Sequence, residues 1–369
     1  MHDLPQQILI GLQLGSIYAL IALGYTMVYG VLKLINFAHG DVYMVGAYAG
    51  IGAAWLLGTW LPSVVHLPPL IPSPLGAVLV LLASMVICGL LGLIIEQAAY
   101  RPLRTRAWIA PALFLGAAVG YVAYGIATNA NRTPVSAIII GIVAWAGLAA
   151  LLYTTQRRRS PGSGSRLTAL ITAIGVSLFL ENFGVLPQIF SSDPRFFPND
   201  PPIARLAPNV ETGLIFTVSL VLMIALTYIV TRTRIGKAIR AVSFDSDAAA
   251  LMGINTDRVI AFTFALGAAL AGAAGVLVFG LQHTKFDPYV GILYGLKAFV
   301  AAVLGGIGNI PGAVLGGLIM GLAETLVVAY GPNIGIDSTY RDAVAFFLLI
   351  LILLFRPAGL LGKFAPEKV

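Results

Sequence analysis

Stretches of about twenty predominantly apolar residues recur along the whole chain, separated by short polar or proline-rich joints. A helix needs a run of roughly that length to cross the ~30 Å hydrocarbon core of a bilayer. The pattern predicts eleven such segments: 8–30, 40–60, 75–97, 107–127, 134–155, 167–190, 212–231, 259–281, 290–307, 312–330 and 342–356. The last is short and 290–307 is glycine-rich, which leaves a re-entrant segment open as an alternative to a full span.

Composition agrees with the pattern. Hydrophobic residues make up 59% of the 369, charged residues 10%, and mean hydropathy is +0.92. Ordinary soluble domains carry about 25% charged residues. This composition excludes a soluble enzyme, a nucleic-acid binder and a disordered scaffold, and predicts an all-α polytopic membrane protein. The net charge of +7 then reads as basic cytoplasmic loops rather than as affinity for nucleic acid. With the C-terminus cytoplasmic, sixteen of the 22 Lys and Arg residues fall in inside loops, five fall outside, and Lys297 lies within a span. An odd number of spans puts the N-terminus outside. The outer loops 61–74 and 191–211 are proline-rich, and proline cannot continue a helix. The single cysteine, Cys88, lies in an apolar run and is expected to pack in the core.

The longest inner joint, 232–258, is amphipathic. Ser243, Asp245 and Ser246 are candidate N-caps, and Asp247 adds negative charge where a helix N-terminus favours it. Ala248, Ala249, Ala250, Leu251 and Met252 form a helical run, and Gly253 is a natural stop. One short helix over about 246–252, parallel to the membrane, is predicted. It suits either a groove in another protein or the lipid surface.

Ionisable residues inside a membrane are rare and mark function or a structural pair. Three stand out: Glu181, Lys297 and Glu324. At 1.5 Å per residue, all three fall roughly 20 Å from the cytoplasmic side. A Lys297–Glu324 or a Lys297–Glu181 pair follows, because an unpaired buried charge is costly. Such a pair can hold helices together, contact substrate or relay protons.

Two joints break the pattern. In VLKLINFAHGDVYMVGAYAG, Asn36, His39 and Asp41 interrupt an apolar run around Gly40. Such a break either lines a cavity within the protein or is a tight cytoplasmic loop. No second His or Cys is spaced to make His39 a metal ligand, and no metal site is expected. In LGGIGNIPGAVLGGLIMG, Asn309 and Pro311 read as the turn between two spans, and the small residues predict a close helix crossing.

The chain carries no Walker A loop, HExxH or G-x-S-x-G, so no enzyme is expected and ATP has no site of its own. Three stretches do carry a pattern: GLQLGSIYALIALGYTMVYGVLKLINFAHGDVYMVGAYAG from Gly11, LITAIGVSLFLEN from Leu170, and RTRIGKAIRAVSFDSDAAALMGINTDR onward through LKAFVAAVLGGIGNIPGAVLGGLIMGLAETL. Together they resemble the LivH-type permease subunit of branched-chain amino-acid ABC importers, over residues 8–104 and 166–362. The resemblance implies a single permease domain of about nine spans in a bacterial inner membrane. It implies a LivM-type second permease, two ATPase subunits binding ATP and Mg, an extracytoplasmic substrate-binding protein, and surrounding membrane lipids. It also implies that 232–257 couples to an ATPase through Asp245, Asp247, Ala248, Ala249, Ala250, Leu251 and Gly253. The translocation path would draw on 36–43 and 297–309, with Asn36, His39, Asp41, Tyr43, Lys297 and Asn309 as candidates. Urea and short-amide permeases share the pattern, and a stand-alone ion-coupled transporter is a further alternative. Residues 105–165 depart from it and read as an inserted two-span hairpin with a basic linker.

Overall fold

Apolar side chains on nearly every face of a segment leave helix as the backbone's only self-sufficient state in lipid, since all of its N–H and C=O groups pair internally. The computed structural model accordingly is all-helical. It describes residues 4–60, 74–104, 166–186, 208–281, 286–335 and 337–362, with isolated positions between. The helices are α1 (Leu4–Leu32), α2 (His39–Trp55), α3 (Pro74–Ile95), α4 (Arg166–Val185), α5 (Pro208–Arg232), α6 (Arg234–Phe244), α7 (Ser246–Leu251), α8 (Thr256–Val276), α9 (Val290–Gly305), α10 (Ile310–Tyr330) and α11 (Arg341–Phe355). α2, α3 and α8 each run on into a π-helical turn, at Leu56–Trp60, Glu96–Tyr100 and Leu277–Leu281. Nine helices coincide with nine of the apolar segments read from the sequence. Five of the described segments are long and apolar enough to cross a membrane: Leu4–Leu32, Leu75–Tyr100, Thr212–Arg232, Thr256–Phe279 and Ile310–Asn333. Ala169–Val185 and Val290–Gly305 are shorter apolar helices.

The chain divides into two compact units, Met1–Gly92 with Ile174–Val369, and Leu93–Ala173. The second holds the end of α3, the turn that follows it and the start of α4. The expected hairpin over 105–165 lies outside the described residues, apart from five helical positions. These are Ile139, Ile142, Val143, Ala146 and Gly147, all exposed.

In the first unit α1 is the central post. From Gly15 to Val28 nearly every side chain is buried, with α8, α9 and α10 packed around it. Lipid tails are as apolar as leucine, so helices in a membrane gain little from burying leucine and gain more from close backbone approach. A Cβ on Gly317 of α10 would lie 2.6 Å from the Ala19 backbone of α1, and one on Gly40 of α2 would lie 2.3 Å from the Gly291 carbonyl of α9. Ser84 of α3 ties the next layer. Its hydroxyl donates to the Gly46 carbonyl of α2 at 2.8 Å and to the Gly272 carbonyl of α8 at 3.1 Å. Cys88, one turn on, is fully buried against the same two helices, as its apolar surroundings predict.

α9 and α10 form a tight hairpin. Gly306 and Gly308 turn the chain at φ of 103° and 91°, values open to glycine, and Asn309 caps α10 through Gly312 N–H with Pro311 in the first turn. A Cβ on Gly316 would meet the Ala301 carbonyl at 2.0 Å, so the expected close crossing is present.

This packing predicts opposite outcomes for two glycine substitutions. Gly316→Ala forces α9 and α10 apart and should destabilise by about 1–3 kcal/mol. Gly52→Ala has open space within 4 Å and should be neutral or slightly stabilising. Thermal denaturation of the detergent-solubilised variants measures both.

Candidate functional site

The joint between α1 and α2 is folded into the protein. Lys33 takes a left-handed conformation at φ 56° to end α1, and the chain turns back through a His39 N–H bond to the Asn36 carbonyl at 3.1 Å. Asn36, Ala38, His39 and Asp41 are all buried. α2 thus begins inside the bundle, and the break is lined by protein rather than by solvent. The His39 ring seats edge-on against Tyr25 at 4.9 Å, over Gly24, where a Cβ would lie 2.0 Å from Nε2. His39 Nε2, Asp41 Oδ1 and Tyr43 OH are buried without a hydrogen-bond partner. Among the described residues no three His, Cys, Asp or Glu side chains gather as a metal site.

Asp41 is reached from α4. Ser177 Oγ donates to Asp41 Oδ2 at 2.5 Å, and Glu181, half-buried one turn further along α4, is its charged neighbour. The position of Glu181 decides between the two ion pairs open from the sequence.

Lys297 pairs with Glu324, not with Glu181. Nζ lies 2.8 Å from Glu324 Oε1, with both residues 2% exposed. The pair belongs to a larger network. Lys297 also meets Asp342 Oδ1 at 2.6 Å, Arg341 Nε pairs with Glu324 Oε1, and Tyr18 OH donates to Glu324 Oε2 at 2.8 Å. Lys297 Nζ lies 5.9 Å from the Tyr18 ring centroid. Two cations and two carboxylates from α9, α10 and α11 therefore neutralise each other, with a phenol from α1. Arg341 and Asp342 are 43% and 47% exposed, so the network runs from the interior to the surface. Reading the sequence missed both, because Arg341 counts there as a loop charge and Asp342 as the first residue of the last span. Their adjacency at the start of an apolar run was the available signal.

Reading the sequence also missed an aromatic ladder. Tyr18 adjoins Tyr294, Tyr294 stacks on Tyr43 at 5.2 Å, and Tyr43 continues through Phe279 and Phe286 to Tyr48, which stacks on Phe190 at 3.9 Å. Its members are too far apart in sequence to show as a motif. Asn309, the remaining path candidate, caps α10 and donates through Nδ2 to the Leu361 carbonyl at 2.6 Å.

The joint 232–258 forms two helices where one was expected. α7 starts as predicted, with Asp245 accepting from the Asp247 and Ala248 N–H groups. It stops as predicted at Gly253, φ 85°. The basic stretch before it is itself a helix, α6, capped by Thr233 accepting from Gly236 N–H. α6 buries Gly236, Ile239 and Val242 and leaves its basic side chains outward, an amphipathic stripe that the charges obscured. Ser243 Oγ of α6 donates to the Gly30 carbonyl of α1 at 2.6 Å. Ala249 of α7 is buried, while Phe244, Leu251 and Met252 are 95%, 90% and 83% exposed.

An all-helical bundle with five described segments able to cross a membrane, a broken helix and a buried, neutralised charge network suits a membrane transport permease. The chain belongs to the family described as the permease component of branched-chain amino acid transport systems, whose model matches residues 7–353. It is 39% identical over 372 residues to the high-affinity branched-chain amino acid transport system permease protein BraD of Pseudomonas aeruginosa, covering 99% of this chain and 97% of that one. It is 38% identical over 386 residues to LivH of Escherichia coli K12 and 37% over 384 to LivH of Salmonella typhimurium, with the same coverage in both.

The network predicts a strong coupling energy. Lys297→Met and Glu324→Gln should each destabilise by about 1–3 kcal/mol, because Arg341 with Tyr18, or Asp342, remains to match the group left behind, and the double variant should lose less than the sum of the two. A double-mutant cycle on thermal stability checks this, and additive losses would contradict the pairing.

Proposed function

We propose that this chain is the membrane-spanning subunit of an ATP-driven importer for branched-chain or related hydrophobic amino acids. It forms half of a translocation path whose other half is a LivM-type permease. Two ATPase subunits bind ATP and Mg, and an extracytoplasmic binding protein delivers substrate. The chain lies in the bacterial inner membrane with its N-terminus outside and its C-terminus in the cytoplasm. It has eleven spans, two of them in the 105–165 hairpin. Branched-chain substrates are favoured over urea or short amides by the named relatives, which align over nearly the whole chain.

One observation carries the coupling role. Phe244 at the end of α6, and Leu251 and Met252 at the end of the short capped helix α7, stand almost fully exposed. Burying each in a partner's groove is worth about 1.5–3 kcal/mol. Displacement of α7 would be felt by three spans. α6 sits directly on the end of α5, since a Cβ on Gly236 would lie 2.2 Å from the Ile229 carbonyl, and Ser243 bonds α1. α7 itself continues into α8 through the Asn255 cap, which accepts from Arg258 N–H. An ATPase that closes and opens beneath α7 would thereby rock α1, α5 and α8 together.

Co-purification from mild detergent tests this. The tagged chain is expected to bring down an ATPase and a second permease. Leu251→Asp with Met252→Asp, both at exposed positions, should weaken ATPase recovery roughly tenfold or more while sparing the second permease. A clean homo-oligomer, or ATPase recovery unchanged by the substitutions, would contradict the coupling role.

A further inference from the structure

Glu181 is the intramembrane charge that the network and the coupling helix leave without a task. It is half-buried on α4, and among the described residues it takes part in no hydrogen bond or ion pair. Its neighbour Asp41 is 1% exposed. One oxygen of Asp41 accepts from Ser177 at 2.5 Å, and the other is buried with no partner. The charged side chain acting on Asp41 is Glu181, another carboxylate. Carboxylates this deep are ordinarily matched by a cation or a donor set. The Lys297 network is matched internally, but the Asp41–Glu181 pair is not. It lacks a cation.

The surroundings define which cation fits. A hard metal ion takes six or more oxygen ligands, whereas the cluster offers two carboxylates and one hydroxyl. An ammonium group carries three N–H donors and suits that number of acceptors. Along the same stripe of α4, Ile174 and Leu178 are 45% and 54% exposed, seven and three residues before Glu181 in helical register. An aliphatic wall one turn from a free carboxylate is complementary to a molecule with an ammonium group beside a short branched side chain.

We propose that Asp41, Ser177 and Glu181 form the subsite that receives the α-ammonium group of an aliphatic amino acid during passage, with its side chain against Leu178 and Ile174. Glu181 is the contact open in this state. Asp41 Oδ1 lies against Gly291 of α9, where a Cβ would sit 2.9 Å away, so it becomes available when the start of α9 moves off α2. The subsite rests on the importer reading above and adds to it a place where the substrate is held within this chain.

The test uses the complete transporter in proteoliposomes with leucine-loaded binding protein, measuring leucine uptake and ATP hydrolysis together. Wild-type uptake is measured first. If it is absent or independent of ATP, the importer reading fails and the subsite falls with it. With wild-type active, Glu181→Gln is expected to lower uptake roughly tenfold or more, the worth of one charge-assisted hydrogen bond, with binding-protein-stimulated hydrolysis kept within about twofold. Glu181→Asp should restore most of the uptake. Wild-type uptake in Glu181→Gln overturns the subsite. So does loss of uptake and hydrolysis together without rescue by aspartate, the result of a purely structural role. Uptake that follows a proton gradient and loses its pH dependence in Glu181→Gln would make the pair a proton carrier and would also overturn it.

Discussion

The Lys297–Glu324 pair constrains the rest of the bundle. A lysine and a glutamate cannot be left unmatched in hydrocarbon, and removing either partner of a buried pair costs more than the pair itself contributes. Lys297 sits on α9 and Glu324 on α10, so their contact sets the rotation of both helices about their axes. Tyr18 adds α1 to the same carboxylate, and Arg341 with Asp342 adds α11. Four helices are thus held in register at one level. The glycine crossings complete what the charges begin, because the short contacts between α1 and α10 and between α9 and α10 are open only to residues without side chains.

α1, α9, α10 and α11 share the charge network. α2 meets α4 through the Ser177–Asp41 hydrogen bond, and α6 meets α1 through Ser243. A transport cycle needs groups of helices that move together and contacts between them that exchange. The unmatched polar atoms of His39, Asp41 and Tyr43 all lie on α2. Buried polar groups without partners disfavour the state that holds them.

Much of this was legible in the sequence, for physical reasons that also explain what was not. Spans are legible because hydrocarbon thickness imposes a length, and so 8–30 and 312–330 match α1 and α10 closely. α7 was legible because Asp245 and Gly253 are strong local start and stop signals that need no tertiary partner. The need for a partner for Lys297 followed from the cost of a lone charge. Its identity did not, because Glu181 and Glu324 lie at the same estimated depth and helix rotation leaves no trace in a run that is apolar on every side. α6 was hidden for the opposite reason, since four basic residues spread along 232–240 masked the buried stripe of Gly236, Ile239 and Val242. The Ser177–Asp41 contact spans 136 residues and has no local signature.

In the proposed importer the buried carboxylates are fixed partners or substrate contacts, and ATP is the energy source. The most direct measurement is uptake of leucine into vesicles carrying the assembled transporter, with ATP and an imposed proton or sodium gradient supplied one at a time. Accumulation with ATP alone, and none with either gradient alone, is the expected result. Accumulation driven by a gradient without ATP would contradict it and would make Asp41, Glu181 and the Lys297 network ion-coupling groups.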